Sequence, residues 1–159
     1  MKTAILVDGG FYRRRAFVAY GDKTPAERAD ELYAYCKRHL KTHGENSELY
    51  RIFYYDCPPM TRQVYHPLTQ KNVNFAKSDT YIWAINFFDE LKKKRKVALR
   101  MGELSEQQAH YVLKNNKLNQ LIRGQISVQD LTEKDFLFNV EQKGVDMRIG
   151  LDIASLSFK

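Results

Sequence analysis

Apolar residues along this chain change their spacing several times, and each change marks a new element. Ala4-Ile5-Leu6-Val7 is a continuous apolar run closed by Asp8-Gly9-Gly10, which predicts a buried strand over residues 4–8 that ends at a glycine turn. Thr24-Pro25-Ala26-Glu27 carries helix-start chemistry twice over: Thr24 is the N-cap, Pro25 takes the first helical position and Glu27 stands where a capping box needs it. Ala29, Leu32, Tyr33, Cys36 and Leu40 then recur at helical spacing, so a helix is expected from about Pro25 to His43 with Gly44 as terminator. The aromatic and β-branched stretch from Leu49 to Tyr55 predicts a second strand. It closes at Asp56-Cys57-Pro58-Pro59, so Asp56 repeats the placement of Asp8.

Residues 60–77 are polar and irregular, with Pro67, Asn72 and Asn74, and read as an excursion. Ser78 can cap a helix whose apolar positions are Ile82, Ile85, Phe88 and Leu91 and which ends in the cations Lys92 to Lys96. Val97–Met101 is a third strand ending at Gly102, and a helical stretch is predicted from about Ser105 to Arg123, stopped by Gly124. Asp130-Leu131 reads as a short linker. Phe136, Phe138 and Val140 alternate with Leu137, Asn139 and Glu141 in a further strand, and the last helix is opened by Gly144-Val145-Asp146. Strands alternating with helices predict an α/β fold with a mainly parallel sheet covered on both faces.

Composition narrows the class. A chain of 159 residues has the length of one ordinary domain, so 1–159 is expected to form a single unit. With 43% hydrophobic and 28% charged residues it belongs with globular rather than disordered proteins. No apolar run approaches the ~20 residues of a membrane helix, and the first residues lack the pattern of a signal peptide. A cytoplasmic protein without membrane contact is expected. Cys36 and Cys57 form no CxxC and stand near no histidine pair, so they read as reduced structural thiols. His39 and His43 lie one helical turn apart without a third donor nearby, which favours an exposed helix face over a metal site. The net charge of +7 points to a polyanionic partner, with nucleic acid first among the choices.

Candidate chemistry lies at the two ends of the chain. An apolar strand that ends in Asp-Gly delivers a carboxylate to the carboxyl edge of a sheet, where open α/β folds bind ligands. Mg²⁺ takes one or two carboxylates plus waters and substrate phosphates, and Asp8 with Asp146 could supply them. Asp56 is a weaker candidate, since an acid before Cys-Pro-Pro is commonly a turn residue. Asp8 also suits an ordinary Asp-Gly turn, and Asp146 a helix-start acid favoured by the dipole. Asp146 and Asp152 are six positions apart, about 120° around an ideal helix, so Asp152 is expected behind the cation or against a neighbouring group. Arg13, Arg14 and Arg15 follow the Asp8 turn directly and are placed to grip flanking phosphates; Tyr12 and Phe11 add aromatic surface for stacked bases. The lysine run at 92–96 is the weaker basic candidate, because a charged helix end is commonly just solvated.

Val7-Asp8-Gly9-Gly10-Phe11-Tyr12 at the start and Lys143-Gly144-Val145-Asp146 with Asp152 near the end resemble the signature ends of the NYN domain family, also described as LabA-like or DUF88 proteins, relatives of the PIN nucleases. Tyr54-Tyr55-Asp56 falls where that family carries its second strand end. The resemblance implies a PIN-like three-layer α/β/α sandwich that cleaves RNA, most readily single-stranded, with Mg²⁺ or Mn²⁺. Asp8 and Asp146 would hold the metal, Asp152 would be a further catalytic acid, and Lys143 would join Tyr12 and the three arginines on the nucleic acid. Two departures stand out. Gly10 and Phe11 occupy positions where many members have Asn, which removes one polar contact. The chain also reaches Lys159 before the Ser-Gly-Asp-Ser-Asp-Phe-like strand end of the family, so the domain is expected to lack its C-terminal strand or strands.

Two functions follow from different classes. One is a metal-dependent endoribonuclease. The other is a catalytically incomplete nucleic-acid-binding or assembly module, in which an open sheet edge favours a homodimer. A phosphatase of the haloacid dehalogenase type needs a second Asp two residues after the first, where this chain has Gly10.

Overall fold

A computed structural model describes residues 2–41 and 47–158. It begins with β1 (Lys2–Asp8), α1 (Gly9–Tyr20), α2 (Pro25–Lys41) and β2 (Glu48–Asp56). A hairpin of β3 (Gln63–His66) and β4 (Lys71–Asn74) leads to α3 (Asp79–Lys92) and β5 (Val97–Met101). Then come β6 (Glu103–Leu104), β7 (His110–Leu113), α4 (Asn115–Ile122), β8 (Phe136–Asn139), β9 (Gln142–Lys143) and α5 (Val145–Ser157). The expected end of the second helix at His43 and Gly44 lies outside the described residues.

The chain is α/β, and its centre is a small parallel sheet in the order β1-β2-β5. Register sets Leu6 beside Phe53, Asp8 beside Tyr55 and Tyr55 beside Arg100. The remaining strands form three antiparallel pairs, β3-β4, β6-β9 and β7-β8. The sheet is therefore less uniform than the alternation of elements suggests.

Side chains alternate across a strand, so Tyr54 and Tyr55 leave β2 on opposite faces. Tyr54 enters the main core with Ala29, Leu32 and Cys36 of α2 and Ala84, Phe87, Phe88 and Leu91 of α3. Its ring meets Phe87 edge-on at 5.7 Å. Trp83 stacks on the outer side of Phe87 at 5.0 Å and donates its indole N–H to the Lys23 carbonyl at 2.9 Å. Two helix starts follow the sequence directly. Thr24 and Glu27 bond reciprocally at 2.9 and 3.3 Å, and Ser78 accepts from the Tyr81 amide at 3.1 Å.

Three segments depart from the sequence reading. Residues 9–20 form a helix although Gly9-Gly10 reads as a turn; Asp8 caps it by accepting from the Phe11 amide at 2.9 Å. Residues 63–74 form a hairpin in place of an irregular excursion. The helix expected over 105–123 covers only Asn115–Ile122, because His110–Leu113 pairs with Phe136–Asn139. Tyr111, Phe138, Phe75, Phe136 and His66 then build a second aromatic cluster beside the sheet.

Candidate functional site at the carboxyl edge of the sheet

Asp8 is the last residue of β1 and Asp56 the last of β2, so parallel pairing brings both to one edge. The Gly102 amide extends the ladder beyond β5 by donating to the Asp56 carbonyl at 2.8 Å. A Cβ at Gly102 would lie 2.6 Å from the Lys143 carbonyl oxygen and 2.8 Å from Val145 Cγ2, so only glycine lets the start of α5 sit against this edge. The other end of α5 reaches back: Ile153 and Leu156 line a groove with Lys2, Ala4, Leu6 and Tyr50. Helix α5 thus begins at the carboxyl edge, with Asp146 in its first turn, and runs back over the sheet.

Four acids share this region, and two of them are already neutralised. Asp56 is 2% exposed; it pairs with Arg13 at 2.9 Å and accepts from the Cys57 amide at 2.8 Å and the Tyr54 hydroxyl at 3.2 Å. Burial nevertheless pushes its carboxyl above the usual range, because these partners offset only part of the desolvation. Asp152 is gripped by Arg100 through Nε at 2.8 Å and Nη2 at 2.5 Å, and accepts from the Tyr55 hydroxyl at 2.6 Å. The Arg100 guanidinium holds the Asp152 carboxyl below its usual range, and burial with Asp152 beside it pushes the Tyr55 hydroxyl up. The offset expected from helical geometry has this outcome: Asp152 fastens α5 to β2 and β5.

Asp8 and Asp146 are different. Both are exposed, and no arginine engages either among the described residues. Strand β2 lies between β1 and β5, so the ends of those outer strands are about 10 Å apart, a gap that side chains, water and a phosphate would have to bridge. Among the described residues no group of three or more His, Cys, Asp or Glu is arranged to hold a metal.

The basic residues do not form the single face that their sequence suggests. Consecutive helix positions diverge by about 100°, and Arg13 turns inward to Asp56. Arg14 is exposed with Nε on the Gly10 carbonyl at 3.3 Å, and Arg15 is exposed beside Phe11 and Tyr12. Tyr12 is half-buried, packs against the core and donates its hydroxyl to Glu31 at 2.9 Å, so it offers no free stacking platform. Phe11 is the exposed ring here, at 58%. Lys143 is exposed and lies 3.6 Å from Glu141.

No protein-family model, curated protein or solved structure matches this chain. The likeness to the NYN family therefore rests on the motifs alone.

Two networks carry residues that sequence reasoning passed over. Arg28, 3% exposed, reaches Glu31 at 2.7 Å and the Gly21 carbonyl at 2.5 Å, while Lys23 lies 2.7 Å from Glu31. Burial opposes ionisation of Glu31, yet Lys23, Arg28 and Tyr12 together keep its carboxyl below the usual range. The available signal was spacing: Arg28 falls on the core-facing stripe with Leu32 and Cys36, and a charge there needs a partner. Arg100 gave the same signal as a lone cation in an apolar strand.

Proposed function

We propose that this chain is a cytoplasmic, metal-dependent ribonuclease domain of the NYN type, with a PIN-like layered architecture and single-stranded RNA as substrate. The observation that carries the reading is the arrival of the β1 end and the α5 start at one edge of a parallel sheet, each with a carboxylate that no arginine neutralises. Asp8 and Asp146 would hold Mg²⁺ or Mn²⁺ together with a phosphate of the RNA. Bound there, the cation would lower the pKa of an attacking water and neutralise charge on the scissile phosphate. Arg14, Arg15 and Lys143 bind the flanking phosphates, and the exposed ring of Phe11 receives a base. Arg13 acts indirectly, by neutralising Asp56 beneath the site.

One observation favours a second reading, that of an RNA-binding or assembly module without catalysis. Asp56 and Asp152 are committed to arginines, which leaves few oxygens for a cation. A labelled unstructured RNA incubated with Mn²⁺ separates the two. Cleavage by the parent should fall in Asp8→Asn and in Asp146→Asn by more than the ~10–100-fold that loss of an outer partner of a metal ligand costs. Asn remains a good N-cap, so Asp8→Asn leaves α1 in place. Salt-sensitive binding without cleavage selects the second reading. A parent that neither binds nor cuts refutes both.

A further inference from the structure

The turn between α1 and α2 is clamped from both sides. Gly21 adopts a positive φ of 70°, and its amide closes α1 on the Phe17 carbonyl at 2.8 Å. The Gly21 carbonyl is taken by the buried guanidinium of Arg28, and the Lys23 carbonyl by the Trp83 indole at 2.9 Å. Asp22 stands between these two anchored residues. A loop residue fixed on both sides is ordered before any ligand arrives, which removes that cost from binding. Yet the Asp22 carboxylate contributes nothing to the clamp. Among the described residues no donor or cation engages it, or the carboxylate of Asp79 in the first turn of α3.

Both acids line a pocket of about 360 Å³ together with Phe17, Lys23, Thr80 and Trp83. Small-molecule sites begin at ~300 Å³, so the space admits a nucleobase. Phe17 is 55% exposed and offers an open ring. The two carboxylates can only accept hydrogen bonds, whereas Lys23, paired with Glu31 and 34% exposed, has three donors and can serve a second acceptor. The pocket also connects to the carboxyl edge. Gly10, Arg14 and Phe17 share one face of α1, and with Gln142 they line a cleft along that helix. Phe17 lies ~12 Å along α1 from Gly9, so the pocket is placed for a nucleotide beside the candidate site rather than in it.

Guanine is the base whose edge matches this lining. Its N1–H and N2–H groups lie side by side as donors to a carboxylate, and the adjacent O6 accepts from a cation. Adenine and cytosine set an acceptor ring nitrogen beside their one amino group, which a carboxylate repels, and uracil offers one N–H flanked by two carbonyls.

We propose that this pocket takes the guanine of an RNA nucleotide flanking the cleaved bond, with the base stacked on Phe17, its N–H groups on Asp22 and Asp79, and O6 towards Lys23. The choice of RNA rests on the reading of the carboxyl edge given above. Short uridine oligonucleotides carrying one internal guanosine, adenosine or cytidine, labelled for anisotropy and kept in chelator, separate the pocket from the cation site. The guanosine strand should bind at least ~5-fold more tightly than the all-uridine strand, the lower end of what one bidentate base contact supplies. Asp22→Asn and Asp79→Asn should each reduce that ratio without weakening the all-uridine strand, whereas a merely structural loss would weaken both. Phe17→Ala should weaken the guanosine strand by roughly 5-fold or more. Guanosine monophosphate should compete only far above the strand's own dissociation constant, since it lacks the further phosphates that Arg14 meets. Equal affinity for all the strands overturns the pocket and leaves the RNA reading standing; no binding of any strand overturns both. A guanosine ratio unchanged in both Asn variants, or a mononucleotide that competes as well as the strand, also overturns the proposal.

Discussion

Tyr54 and Tyr55 are neighbours in β2, and the halves of the molecule they enter are held by different forces. On the Tyr54 side, α2 and α3 press an aromatic and aliphatic core against the sheet, with Leu32, Tyr54, Phe87 and Leu91 at 2% exposure or less. On the Tyr55 side, α5 has no buried residue, and Met147, Leu151 and Ile153 remain open to solvent. That helix is fastened at two points: the close approach of its start to Gly102, and the clamp of Asp152 by Arg100 and Tyr55. One half thus depends on excluded water and dispersion, which are spread over many atoms, and the other on a few directed contacts. The second half is the one that conditions can switch.

The largest expected effect lies in the packed half. Phe87→Ala should cost about 3–5 kcal/mol by urea unfolding, as a fully buried aromatic leaves a cavity in a closely packed core. Leu151→Ala on α5, 61% exposed in the parent, should cost less than about 0.5 kcal/mol. Equal losses would erase the contrast.

The next effect lies beneath the carboxyl edge. Arg13→Ala strands Asp56, 2% exposed, without its cation and should cost about 2–4 kcal/mol at neutral pH. The folded-state pKa of Asp56 is already raised, so the ionised carboxyl opposes folding above that pKa, and the penalty shrinks as pH falls. The Arg13→Ala variant should therefore recover stability relative to the parent between neutral and mildly acidic pH. Adding Asp56→Asn should restore much of the loss. A deficit independent of pH would mean that Arg13 acts through packing.

The smallest effect sharpens the comparison most. Arg100→Ala should cost only about 1 kcal/mol, since the side chain is 42% exposed and solvent screens the pair. Its pH dependence has the opposite sign. The folded-state pKa of Asp152 is lowered, so its contribution is complete above the ordinary carboxylate range and disappears as pH falls through the lowered value. Amide exchange followed by mass spectrometry should show α5 opening in acid before α3 does. Simultaneous opening would mean that the clamp does not hold α5.

Local signals carried most of what could be read in advance. The caps at Thr24 and Ser78, the three parallel strands and the opening of the last helix each depend on residues a few positions apart. Helix α1 escaped because its apolar residues do not share one stripe; Phe11, Phe17, Val18 and Tyr20 all stay exposed, and two glycines open it. Strand β7 escaped because its partner lies some 25 residues away in β8. At the candidate site, the strand-end placement of Asp8 and Asp56 was legible. The commitment of Asp56 to Arg13 and of Asp152 to Arg100 was not, since each pairing bridges more than 40 residues. Spacing ranks these acids without naming their partners, and tertiary contacts divide them into those paired with arginine and those that are not.

The chain has one tryptophan, and its position decides what light can report. Trp83 stacks on Phe87 of its own helix and bonds to the Lys23 carbonyl, so its emission follows the docking of α3 against the segment between α1 and α2. Release of α5 leaves that ring and its surroundings unchanged. A fluorescence melt would show a single late transition while circular dichroism had already registered lost helix. The gap between the two curves would measure how independently α5 detaches, without any added label.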